Sequence, residues 1–309
     1  MKPFIRTFIL SALIGLSIKG LTQGCSDAGF CSIGNLGAHP VDSMQKTKHK
    51  LSFILPLGIG DEDVFVTTPG IEYNLLLSSQ WSLQGKLTAN YASGNLGNAF
   101  SLGDVFLSGT YLFNPLAKWK VSATIGTKLP LNQGNLKEDG RSLPMQYQSS
   151  LGTVDLIAGF AIASNRWLFA TGWQQPLTGR NPNNFLPAYW NKPDASNYPP
   201  SNDFNRKGDV LLRSGYTFSA LKKWTVTGGL LGIYHLGKDT YVDANLSNMP
   251  ISIEGSEGLT LNATGYINYH INKKISIGLS GGVPLVVRDV RPDGLTRRFV
   301  FAPEINIKF

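Results

Sequence analysis

Gln80-Trp81-Ser82-Leu83-Gln84-Gly85-Lys86-Leu87-Thr88-Ala89-Asn90-Tyr91-Ala92 alternates between two chemistries. Trp81, Leu83, Leu87, Ala89 and Tyr91 fall on one side of an extended chain, and Ser82, Gln84, Lys86, Thr88 and Asn90 on the other, because successive strand side chains point to opposite faces. The run is also long: globular strands average about 5–6 residues, whereas a tilted strand needs about 9–11 to cross a bilayer. Two further stretches read the same way. In 118–131, Trp119, Val121, Ala123 and Ile125 oppose Lys120, Ser122, Thr124 and Lys128. In 257–271, Leu259, Leu261, Ala263 and Tyr269 oppose Thr260, Asn262, Thr264 and His270.

A soluble sandwich would alternate too, with its polar face outward. The aromatic residues decide between the two. A tryptophan follows a polar or basic turn residue in Gln80-Trp81, Lys118-Trp119, Arg166-Trp167 and Lys223-Trp224, and Lys274-Ile275 is a fifth copy with the ring replaced. Tyr111, Phe113, Phe160, Tyr216, Phe218 and Tyr269 close the strands that return to the same side. Amphipathic rings prefer the headgroup level, so Trp81, Trp119, Trp167 and Trp224 mark one edge of a membrane. In hydrocarbon only a closed sheet leaves no backbone group unpaired. The expected fold is therefore all-β: a transmembrane antiparallel up-and-down β-barrel.

Twelve strands are expected: 48–58, 66–77, 80–92, 101–113, 118–131, 147–162, 166–177, 207–218, 223–236, 257–271, 274–287 and 297–309. Every second connection is tight and the other six are longer, the longest running from Thr178 to Arg206. Short turns face the periplasm and long loops face outside in such barrels. The C-terminal strand ends Ile305-Asn306-Ile307-Lys308-Phe309. That alternation to a terminal aromatic resembles the signal read by the outer-membrane assembly machinery, which makes Phe309 the assembly-signal residue.

Composition agrees. Only 16% of the 309 residues are charged, against about a quarter in soluble domains. The formal net charge of +8 falls to +5 without Lys2, Arg6 and Lys19, and the remaining basic residues form no run; nucleic acid is not an expected partner. Lys2 and Arg6 precede an apolar Phe8–Ile18 stretch, and Thr22-Gln23-Gly24 offers small residues for cleavage. Residues 1–24 are read as a signal peptide, 25–47 as a short periplasmic N-terminal segment and 48–309 as the barrel, in a bacterial outer membrane. Cys25 and Cys31 follow the cleavage point. Two readings stand for them: a short disulfide loop in an oxidising periplasm, or lipidation of Cys25.

The polar faces place Glu72, Lys86, Asp104, Lys120, Lys128, Asp155, Arg213 and Glu304 toward the lumen. These charges either neutralise one another or line a solute path, with small residues such as Gly159 leaving space. In the longest loop, Phe185, Tyr189 and Trp190 belong to a solvated loop, a gate, or a set of rings offered to a ligand. Pro56 and Pro284 interrupt strands, marking either a local bulge or a lateral exit. No catalytic residue, cofactor or metal site is expected. None of His39, His49, His235 and His270 has Ser two residues on, as the outer-membrane phospholipases require, and no HExxH, GxSxG or P-loop occurs.

Ser101-Leu-Gly-Asp104-Val-Phe-Leu-Ser-Gly-Thr-Tyr111-Leu112 resembles the L-G-D-x-x-L-x-x-x-Y strand of outer-membrane proteins classed with the MetA pathway of phenol degradation, which are FadL-like transporters. Gly152-Thr-Val-Asp155-Leu-Ile-Ala-Gly159 and Gly208-Asp209-Val-Leu-Leu-Arg213-Ser-Gly-Tyr216 repeat the cadence. The resemblance implies passive uptake of a small, apolar or aromatic solute. The segment before the barrel is shorter than a FadL hatch. A structural or assembly subunit without transport activity is the second reading, and a lipid-active enzyme the third. Membrane lipid and the assembly machinery are the expected partners.

Overall fold

The computed structural model of the chain describes residues 33–37, 48–221, 223–243, 248–294 and 297–309. The signal-peptide, Cys25 and Cys31 expectations, and His39, lie outside the described residues.

The architecture is one closed antiparallel barrel. In chain order the strands are β1 (His49–Ile54), β2 (Leu57–Gly60), β3 (Phe65–Thr67), β4 (Gly70–Leu76), β5 (Trp81–Gly94), β6 (Gly97–Leu112), β7 (Lys120–Pro130), β8 (Lys137–Glu138), β9 (Arg141–Ser142), β10 (Asp155–Ala163), β11 (Trp167–Pro176), β12 (Asp209–Leu221), β13 (Trp224–His235), β14 (Thr240–Val242), β15 (Pro250–Ser252), β16 (Gly258–His270), β17 (Ile275–Val286) and β18 (Arg297–Lys308). Proline lacks the N–H that a ladder needs. Pro56 accordingly splits the first stave into β1 and β2, and Pro69 splits the second into β3 and β4. The sheet thus comprises twelve staves, closed where β1 pairs with β18. The hairpins β8–β9 and β14–β15 stand outside it, in the long loops.

Two expected connections differ. The 92–101 loop is a tight turn at Asn95-Leu96, because β5 and β6 stay paired up to Gly94 and Gly97. The strand expected from 147 begins at Asp155; Tyr147–Val154 instead fold over the barrel end, with Tyr147, Leu151 and Thr153 buried.

The alternation sorts as expected. Along β11, Trp167, Phe169, Thr171 and Trp173 are exposed while Leu168, Ala170, Gly172 and Gln174 are buried. The girdle is built of cross-strand pairs, the unit of sheet stabilisation. Trp81 lies opposite Tyr111, Trp167 opposite Tyr216 and Trp224 opposite Tyr269, with ring centroids 4.9, 4.7 and 4.7 Å apart. Trp119, one residue before β7, is exposed. Three of the tight turns share a device the tryptophan repeat only hints at: a side-chain oxygen three residues earlier accepts the strand's first N–H. Ser78 Oγ serves Trp81 at 3.0 Å, Ser164 Oγ serves Trp167 at 3.1 Å and Asn272 Oδ1 serves Ile275 at 2.8 Å. Phe309 exchanges backbone hydrogen bonds with His49, and their rings stack at 5.5 Å across the closing seam.

Candidate functional site: a plugged lumen under a tied cap

Residues 33–37, the described part of the segment expected in the periplasm, lie inside the barrel. A 3-10 turn at Gly34–Leu36 sits inside the wall, where the Gly34 N–H donates to Gln84 Oε1 (2.6 Å) and Asn35 Nδ2 to Ser122 Oγ (2.5 Å). Gly34 has φ +50, and a Cβ there would come within 2.5 Å of Thr110 Oγ1, so only glycine fits. The space left by Gly159 is filled: a Cβ would lie 2.7 Å from the Leu36 side chain.

Leu36 and Ile33 pack on an apolar inner wall made by Phe106, Ile157, Ala161, Leu168, Leu211 and Leu231. On β10 to β13 these apolar side chains form a patch on the inner face, where the polar-inward rule is broken locally, between buried polar residues such as Asp155, Gln174, Arg213 and Thr227. The opposite inner wall is polar. Ser52 Oγ donates to Asn306 Oδ1 at 2.7 Å, and Glu304 accepts from Tyr266 (2.6 Å) and Asn306 (2.7 Å).

The expected lumen residues distribute as follows. Glu72 faces Lys86 in register and accepts from Asn74 Nδ2 at 2.8 Å; the Lys86 ammonium lies 6.0 Å from the Phe106 ring centre. Lys128 and Asp155 are buried opposite one another and pair at 2.8 Å. Asp104 accepts from Ser150 Oγ at 2.5 Å, and Lys120 sits at the other end of β7 from it. Arg213 is buried on the inner face.

The long loops form a cap with a core of its own. Phe185 is fully buried with Leu143, Tyr147 and Tyr198, which removes it from the rings available to a ligand; Trp190 packs against that core and donates to Ser142 O, while Tyr189 is exposed. Buried loop backbone needs partners, and asparagine and glutamine side chains supply them. Asn183 Nδ2 donates to the carbonyls of Gly134 (2.9 Å) and Leu143 (3.0 Å), and Gln148 Nε2 to Leu143 O (2.8 Å).

At the mouth a buried ionic cluster ties three loops together. Arg206 bridges Asp209 (2.6 Å) and Asp293 (3.2 Å), and Arg288 also reaches Asp293 (2.9 Å). Burial alone would raise the Asp293 carboxyl, but Arg288 and Arg206 hold it well below the usual carboxylate range. Burial would lower the Arg206 guanidinium, and its aspartates outweigh that and push it up. His235 joins the cluster through Asp209 and Asp239.

A depression of about 630 Å³ indents the outer wall beside the Pro56 and Pro69 breaks. It is lined by lipid-facing Phe53, Ile71, Leu87 and Ile305, and also by Thr88 and Glu304, whose side chains are buried on the inner side. The β5–β6 ladder shifts register next to it, between Leu87 and Ala89.

No family model and no curated protein matches the chain. Among solved structures it is similar to an outer membrane channel from Pseudomonas putida F1, at 12% identity over 86% of this chain and 97% of that one, with a TM-score of 0.60. A NanC porin structure aligns at 11% identity over 84% and 98%, TM-score 0.47. The CymD monoaromatic hydrocarbon channel aligns at 11% over 95% and 99%, TM-score 0.45. At 12% identity the first likeness is one of fold, and that fold is the closed twelve-stave barrel of outer-membrane proteins.

Proposed function

We propose that the chain is an outer-membrane channel for passive uptake of a small apolar or aromatic solute. The observation that carries this reading is the apolar patch on the inner wall, made by Ile157, Leu168, Leu211 and Leu231 of β10 to β13 and covered by Leu36 and Ile33 at a single short turn. A barrel lumen that faced only water would gain nothing from Ile157, Leu211 and Leu231 pointing inward. Displacing the turn frees a surface on which an apolar solute replaces Leu36, since burial stabilises by about 25 cal/mol per Å² of apolar area. The outer-wall depression supplies an apolar approach or exit beside the lumen.

Gly34→Val tests the reading. The collision with Thr110 and Thr124 should expel the turn. Single-channel conductance in planar bilayers, and uptake of an apolar aromatic such as toluene into proteoliposomes, should both rise above the unaltered protein. Neither conductance nor uptake from either protein would leave a scaffold barrel as the better description.

A further inference from the structure

His235 ends β13 at the opposite end from Trp224, on the loop side of the barrel, and both ring nitrogens face carboxylates. Nδ1 lies 2.7 Å from Asp209 Oδ1, and Nε2 lies 2.8 Å from Asp239 Oδ1. A neutral imidazole has one N–H to give, and only the imidazolium donates at both nitrogens. The charge count agrees. Arg206, Arg288 and an imidazolium meet Asp209, Asp239 and Asp293, three against three, all buried. Without the second proton one buried carboxylate is left uncompensated and faces a nitrogen lone pair, which is costly away from water.

The proton matters for the loop because Asp239 both docks it to the barrel mouth and joins its two arms, beside the backbone bonds of Thr240 and Val242 to Asn205 and Asn202. Its Oδ1 also accepts the Lys207 N–H (2.9 Å), its own N–H donates to Ser256 Oγ (2.8 Å), and its carbonyl accepts the Ile253 N–H (2.8 Å). Arg288 Nη1 holds the Ser256 carbonyl at 2.7 Å. The remaining charged groups nearby lie outside this contact. Lys238 pairs with Glu254 on the exposed side of the loop, and Arg291 braces Asp61 at 2.9 Å. Gly258, opposite His235 in β16, brings no charge.

We propose that a proton shared through His235 latches residues 236–243 and 250–257 to the barrel mouth, and that its loss at alkaline pH loosens them and makes access to the lumen pH-dependent. The access clause rests on the channel reading above, whereas the latch does not. Closure is complete while the ring is doubly protonated and is lost as pH rises through its titration in the closed state.

The test places a nitroxide at Met249, exposed on the same loop, in a Met249→Cys protein with Cys25 and Cys31 replaced by serine, reconstituted in phospholipid vesicles. Between pH 6 and pH 10 the mobile fraction should rise on the order of tenfold or more, as loss of one charge-assisted buried hydrogen bond implies. His235→Gln should be mobile at every pH. A flat profile in the unaltered protein, or an unchanged profile in His235→Gln, overturns the latch. Should His235→Gln fail to fold, nitrogen NMR of the histidine-labelled parent decides: both His235 nitrogens protonated at pH 7 supports it, and a neutral tautomer overturns it. Conductance over the same pH range is read separately. A loop that loosens without conductance rising overturns the access clause alone; the latch stands, and the channel reading keeps its own test in Gly34→Val.

Discussion

Replacing Lys128 by methionine is expected to destabilise the barrel by about 3–5 kcal/mol, the cost of leaving a buried charge without its partner. Lys128 and Asp155 face each other on β7 and β10, both almost fully buried, with the ammonium also 3.2 Å from Thr153 Oγ1. Removing the ammonium leaves the Asp155 carboxylate with Thr153 and Gln174 as neutral donors. Equilibrium urea unfolding in phospholipid vesicles, followed by tryptophan fluorescence, measures the loss. Adding Asp155→Asn should recover most of it, because removing both charges avoids the stranded ion. A cost below about 1 kcal/mol, the range of exposed pairs, would mean that water reaches this part of the lumen.

Ile125→Arg is expected to cost about 2–4 kcal/mol in the same assay, as a cation at the midplane of a barrel's lipid face does. Ile125 lies mid-strand in β7, 63% exposed, between Gly109 and Ala158 of the neighbouring staves. In water such exposure would make the change almost neutral. A shift within about 0.5 kcal/mol would therefore place this face in an aqueous environment.

The barrel was legible because its signal repeats. Period-two alternation in 80–92 and 118–131, and a ring at each tight turn, recur often enough to set stave number and sidedness. The errors fall where one local rule met a competing one. Residues 33–37 carry no periodicity, so nothing in Ile33-Gly34-Asn35-Leu36-Gly37 announces a turn that belongs inside the wall. By sequence Phe185 is a surface loop ring, because loops normally run over the surface; the long loops instead bury it in a core of their own.

The apolar inner wall did leave a trace. Leu156-Ile157-Ala158-Gly159-Phe160-Ala161-Ile162-Ala163 is a run without polar alternation, the pattern of a strand buried on both faces. The mouth cluster left almost none. Arg206, Asp209, His235, Asp239, Arg288 and Asp293 come from separate loops and strand ends, and only the folded barrel assembles them.

The central claim is that alternate side chains of each stave touch lipid while their neighbours face an enclosed interior. Nitroxides placed singly at 168, 169, 170, 171, 172 and 173 in β11, in vesicles, test it through collision with oxygen, which concentrates in hydrocarbon, and with a water-soluble nickel complex. High oxygen contact at 169, 171 and 173 and low contact at 168, 170 and 172 is the expected result. A profile without period two, or with nickel favoured at 169, 171 and 173, would contradict it.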